Sequence, residues 1–231
     1  IETEMTLPDG RLRRSWTEGR PGPAGYLEDH AHCTAAYLTL YECTGDERWF
    51  ARARQLADLT IEHFHDAEYG GFFTVASDHE RLIARRKDIE DNPTPSGNAT
   101  IALVLLRLAA FTGDHGYRAG ASDCLLAVQR LAARLPLGFG QSLIGIAFHL
   151  GPVKEVALVG PTASRAAFES VMHAAYLPNT VLASSEHPDR SAVPLLEGRS
   201  AGPTAAAFVC ENFACDLPLL DAGALLTRLS S

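Results

Sequence analysis

Glu28 and Asp29 stand side by side just ahead of a helical run. Paired carboxylates suit general acid–base work, one holding a proton while the other stays ionised. Their plainer role is to favour the positive end of a helix dipole. His30 and His32 follow, and either could trade protons with a bound molecule. Residues two apart on a helix point away from each other, so at most one of them shares a site with the carboxylates. His63 and His65 fail the same test. No His-Glu-x-x-His or comparable ligand spacing occurs, so no metal and no cofactor are expected.

Pro95-Ser96-Gly97-Asn98 opens another helical run after an acidic loop. Ser96 and Asn98 suit hydrogen bonding to a polyol, with Gly97 letting backbone approach it. The competing role is an ordinary helix cap, with proline stiffening the entry. Arg81, Arg85, Arg86 and Lys87 precede Asp88, Glu90 and Asp91, either as a clamp on an anionic group or as a salt-bridged loop. Tyr69-Gly-Gly-Phe72-Phe73 reads as a turn with an aromatic anchor. Cys210 and Cys215 leave three readings open: two buried thiols, a disulfide, or half of a metal site that needs four ligands. Gly160 follows a strand, yet no phosphate-binding glycine pattern accompanies it, so a nucleotide loop is rejected.

The elements that must hold these groups form a repeat at a 68-residue offset. Tyr37 to Trp49 and Leu105 to Tyr117 each carry an apolar helical run, then Thr-Gly-Asp, then a second helix with an aromatic three residues on. Glycine ends a helix in a left-handed conformation and aspartate caps the next. Each copy is therefore an αα-hairpin with antiparallel helices. The spacing predicts helices over 29–43, 46–64, 96–111, 114–134 and 138–150. The third is apolar on nearly every side and must be buried from several directions. Beyond Gly151 the pattern changes to a strand at 153–159, a helix at 163–176 and a strand at 180–183. A polar loop over 185–203, a strand at 205–210 and a helix near 220–229 follow. The strand–helix–strand order predicts a small parallel pairing.

The 231 residues are 46% hydrophobic and 21% charged, enough apolar material for a real core. With 28 acidic and 20 basic side chains the net charge is −8, which argues against gripping nucleic acid or an anionic membrane. No apolar run approaches the roughly 20 residues of a membrane span. Five cysteines without framework spacing fit a reducing, cytoplasmic setting, with Cys33, Cys43 and Cys124 expected as small buried hydrophobes. The chain opens on Ile1 without a signal-peptide pattern, and a missing N-terminus is expected.

Five ordered segments carry a resemblance: Gly25-Tyr-Leu-Glu-Asp-His-Ala31, Lys87 to Asn98, Gly151-Pro-Val-Lys-Glu155-Val, Pro194-Leu-Leu-Glu-Gly198, and Val209 to Cys215. Together they resemble the C-terminal part of the YyaL-like proteins, the spermatogenesis-associated thioredoxin-domain family. The resemblance implies a mainly α fold, the αα-hairpins of a partial (α/α)6 toroid, similar to six-hairpin glycosidases and the N-acylglucosamine 2-epimerase group. It implies that the hairpins over 1–150 belong to the toroid; the strand and helix patterns over 151–231 make a small α/β subdomain or a decoration on the last hairpin. The partners it implies are an absent N-terminal thioredoxin-like domain and the remaining hairpins. It aligns Asp91 with an acidic family position, although Asn92-Pro93 departs from the family's Gly-Ala. His30 and His32 replace aromatic residues of the family, and sugar epimerases of this fold class use histidines as acid–base partners.

The expected function is acid–base chemistry on a sugar or polyol, as epimerisation or hydrolysis. Glu28, Asp29 and Asp91 would be catalytic, and His30, Arg86, Ser96, Gly97 and Asn98 would bind substrate. The alternative is a non-enzymatic helical module that binds a partner or supports the thioredoxin domain, with Cys210 and Cys215 redox-active or structural. A full toroid has twelve helices and only five precede Gly151, so the chain is expected to be a fragment or a relative reduced to an open arc.

Overall fold

A computed structural model describes residues 1–80 and 83–230; Arg81 of the basic cluster lies outside the described residues. The chain opens with a short hairpin, β1 (Trp16–Thr17) and β2 (Arg20–Pro21). Five helices follow: α1 (Leu27–Thr44), α2 (Glu47–Phe64), α3 (Gly97–Thr112), α4 (His115–Arg134) and α5 (Gly140–Leu150). The two Thr-Gly-Asp repeats fold into the same turn. Gly45 and Gly113 are left-handed at φ 67° and 72°, and each donates its N–H to the carbonyl four residues back. Asp46 and Asp114 then accept from Arg48 and Gly116 N–H, capping α2 and α4. Thr44 and Thr112 contribute alike, each hydroxyl accepting the aspartate N–H.

The helices form two layers. α1, α3 and α5 lie side by side, with α2 packed on α1 and α4 on α3. α3 is buried along almost its whole length, as its unbroken apolar sequence requires. α1 and α3 start together: a Cβ on Gly97 would stand 2.9 Å from Leu27 Cγ and 3.0 Å from Glu28 N. Only glycine admits an approach that close.

The rest of the chain is a sheet between these helices and two more. Its strands, β3 (Lys154–Val159), β4 (Thr180–Ser185), β5 (Ala206–Glu211) and β6 (Ala214–Cys215), lie in the order β4-β3-β5-β6. β3 and β4 are parallel, joined through α6 (Thr162–Ala174); β5 runs antiparallel to β3 and β6 to β5. Alternation divides the side chains by face. Ala157, Val159, Val181, Ala183 and Ala206 share one core with Tyr41, Phe50 and Phe111 of the helices. Val156, Leu158, Leu182, Ala207 and Val209 pack instead with Phe168 and Met172 of α6 and Leu225 and Leu229 of α7 (Ala222–Ser230).

The sheet sits against the C-terminal ends of α1 and α3. A Cβ on Gly45 would lie 2.8 Å from Ser184 Oγ, and the Phe213 ring packs on Gly113. Glu42 of α1 ties the layers, pairing with Arg107 of α3 and accepting the Leu182 N–H at 3.2 Å.

Three sequence expectations need correction. The stretch 185–203, expected as a polar loop, buries Val193, Leu195 and Leu196 in the shared core. Of the three cysteines expected inside, only Cys124 is buried; Cys33 is half-buried and Cys43 exposed, because α1 keeps one face open. A short strand, β6, follows the last expected one. Of the three readings left open for Cys210 and Cys215, the structure has the disulfide.

Candidate functional site

A cavity of about 350 Å³ opens at the N-terminal end of α1. Arg13, Arg14, Glu28, Asp29, His32 and Cys33 line it, with Thr94 from the loop before α3. One arginine organises the carboxylates. Arg14 Nη1 donates to Asp29 Oδ1 at 2.8 Å and to Glu28 Oε1, and the guanidinium rests 5.1 Å from the centre of the Tyr26 ring. Those two carboxylates hold the Arg14 cation more firmly charged than usual. The second oxygen of Asp29 accepts the Tyr26 N–H at 2.8 Å, the reciprocal half of a capping box. Asp29 thus caps the helix and faces the cavity at once. Glu28 has no such structural duty.

His32 lies three residues beyond Asp29 and four beyond Glu28, which puts all three on one helical face. Its Nε2 is 3.2 Å from the Pro95 carbonyl. His30 points the other way, into the protein, with 1% of its surface exposed. Its Nδ1 donates to the Tyr26 carbonyl at 2.8 Å and its Nε2 accepts the Leu12 N–H at 3.1 Å. Burial pushes its pKa down, favouring the neutral ring that this bonding needs. His30 therefore anchors the segment that delivers Arg13 and Arg14, and it does not reach the cavity.

The other expected residues lie apart from this cavity. Asp91 joins two helix starts, Oδ1 accepting from Ser96 N and Oδ2 from Gln141 N. Ser96 is the N-cap of α3, its hydroxyl accepting the Ala99 N–H. Asn98 is buried, donating to the Phe72 and Asp88 carbonyls and accepting the Phe72 N–H at 2.8 Å. Gly97 is the close contact between α1 and α3. Arg86 is exposed at the surface. Its neighbours serve the loop: Arg85 stacks 4.0 Å from the Phe73 ring centre and donates to the Val75 carbonyl. Lys87 pairs with Asp66 at 2.6 Å and holds that carboxyl down to about 2.

Arg13 and Arg14 were not legible as site residues, since nothing in the spacing announces that a coil residue will reach carboxylates 14 and 15 positions on. A second group escaped notice. Glu155 on β3 is buried, and desolvation raises its pKa. It accepts the Phe213 N–H at 2.7 Å beside a cavity of about 230 Å³ shared with Asp114, His115, Arg118 and Asn212. Among the described residues no cluster of three or more His, Cys, Asp or Glu could hold a metal ion.

Fold and cavity define a mainly α protein of side-by-side αα-hairpins with a small β element. No family model matches the chain. It is 29% identical over 229 residues to human Spermatogenesis-associated protein 20, covering 96% of this chain and 29% of that protein. The rat protein of that name is 28% identical over 231 residues, covering 93% and 29%. An uncharacterized Caenorhabditis elegans protein is 24% identical over 224 residues, covering 91% and 30%. These likenesses support the spermatogenesis-associated family, and the chain spans less than a third of the length of these relatives. No helix among the described residues is long and apolar enough to cross a membrane.

Proposed function

We propose that this chain is an arc of a larger (α/α)6 toroid, acting in carbohydrate metabolism in the cytoplasm on a sugar or small polyol. The observation that supports this reading is the cavity at the start of α1, where Arg14 draws Glu28 and Asp29 together beside His32. Its volume matches a small ligand rather than a polymer. In this reading the carboxylates accept hydroxyl hydrogen bonds and take a proton from a ring carbon or a water. His32 is the partner that returns a proton, and Ile1, Met5, Leu12, Arg13, Cys33 and Thr94 supply the remaining wall. Asp91, Ser96, Gly97 and Asn98 fix the loop that carries Thr94, and Arg86 stands outside.

The test is a thermal-shift screen of monosaccharides and polyols against the full-length protein, repeated with Glu28→Gln and His32→Gln. A stabilising sugar whose effect is lost in both variants is the expected outcome. A panel without effect, or one unchanged by both substitutions, sinks the reading.

The helical-module reading keeps one observation in its favour. Leu126, Leu131, Leu135, Leu137, Ile144 and Leu150 are exposed along α4, α5 and the turn between them. An apolar face of that kind marks a contact with further protein. In this reading the face meets the remaining hairpins or the thioredoxin-like domain.

A further inference from the structure

The edge of the sheet away from β4 carries two cysteines against an arginine. β5 passes to β6 through Asn212 and Phe213, both left-handed, which sets Cys210 directly opposite Cys215. The next pair out is joined by the bond from Asp216 N–H to the Val209 carbonyl, so the cysteines occupy the pair without ladder hydrogen bonds, where side chains come closest. Arg199 Nη2 lies 2.8 Å from Cys215 Sγ and 3.7 Å from Cys210 Sγ, with its guanidinium 5.6 Å from the Phe208 ring centre. Its Nε is buried without a hydrogen-bond partner, and among the described residues no carboxylate pairs with it.

A neutral disulfide is a weak acceptor and gives a half-buried cation little in return. A thiolate at the same place would give it a counter-charge. We propose that Cys210, Cys215 and Arg199 form a thiol–disulfide exchange site whose substrate is a protein or peptide dithiol. Cys215 is half-exposed and Cys210 is buried, so the incoming thiolate attacks Cys215 Sγ. The Sγ–Sγ bond breaks and its electron pair leaves on Cys210 Sγ, beside the guanidinium. The substrate's second thiolate then attacks its own sulfur in the mixed disulfide and releases Cys215 as a thiolate next to Arg199 Nη2. The substrate dithiol is oxidised to a disulfide, the cysteine pair gains two electrons, and the two protons lost by the substrate end on the cysteines or in solvent. The hairpin stays in place meanwhile, because Glu155 holds the Phe213 N–H and the Phe213 ring packs on Gly113. The thiols therefore remain opposed and the reaction reverses.

The test equilibrates the full-length protein with mixtures of reduced and oxidised dithiothreitol, alkylates free thiols and maps them by mass spectrometry. Cys210 and Cys215 are expected to pass together and reversibly from bonded to alkylated while circular dichroism stays constant. In the reduced protein, Arg199→Met is expected to slow alkylation of Cys215 at pH 7 about tenfold and move its pH profile upward. Arg199→Lys, which keeps the charge, is expected to restore most of the rate. A pair that resists reduction in the folded protein, or never bonds under oxidising conditions, overturns the proposal without any variant. So does an Arg199→Met profile that coincides with that of the unsubstituted protein.

Discussion

The two ends of α1 put the same side-chain chemistry to opposite uses. At its start, Glu28 and Asp29 gather around Arg14 at the rim of a cavity, with 41% and 22% of their side chains exposed. At its end, Glu42 pairs with Arg107, takes the Leu182 N–H and is only 15% exposed. What separates them is the covering layer. The sheet seals the C-terminal ends of α1 and α3, whereas only a coil segment crosses the N-terminal end. A carboxylate under a sheet must spend its lone pairs on the protein, because an unpaired buried charge is costly. One beneath a coil segment keeps capacity for a ligand.

The largest expected effect probes the sealed end. Phe111 meets Tyr41 and Phe50 edge-on at 5.6 and 5.7 Å, next to the sheet. Phe111→Ala should cost about 3–5 kcal/mol in urea unfolding. A loss below 1 kcal/mol would show that this end is not where stability resides.

An intermediate effect separates the ends by pH. His30 has a folded pKa below its usual value of 6.5, so the unfolded chain binds the extra proton first. Its contribution is complete above pH 6.5 and is lost as the pH falls from there toward the folded pKa. Protonated Nε2 also cannot accept the Leu12 N–H. Hydrogen exchange should therefore show the Leu12 amide losing protection between pH 7 and pH 5, after correction for intrinsic rates, while the β3–β4 ladder holds. Equal change at both ends would erase the distinction.

The smallest effect belongs to the open site. Glu28→Gln removes a half-exposed ion pair, and such pairs contribute about 0–1 kcal/mol. Stability should move by no more than about 0.5 kcal/mol in the same urea assay. A loss of 2 kcal/mol would make Glu28 a structural residue like Glu42.

Much of the frame was legible in the residues because its signals are local. Each Thr-Gly-Asp turn is closed by groups within four residues, so both hairpins could be bounded closely. The parallel pairing of β3 and β4 followed from strand–helix–strand order. The site was harder to read. Asn98 is a cap-like residue in the sequence, yet its amide clamps Phe72, 26 residues away. Cys210 and Cys215 allowed three readings, and the choice rested on the left-handed pair Asn212 and Phe213, an unusual conformation for phenylalanine. Leu195 and Leu196 sit in a segment rich in turn residues, and nothing local reveals that both enter the core.

By itself the sequence determined the helices of the two hairpins, their Thr-Gly-Asp turns and caps, the parallel pairing of β3 and β4, and the opposite directions of His30 and His32. All of these follow from backbone periodicity and contacts a few residues long. Only the tertiary structure decided which of the two histidines meets the carboxylates, that Arg14 joins Glu28 to Asp29, that Arg199 faces a disulfide, and which end of α1 is sealed. Those outcomes depend on where distant segments cross, and the charge and burial of a side chain are set by its neighbours in space.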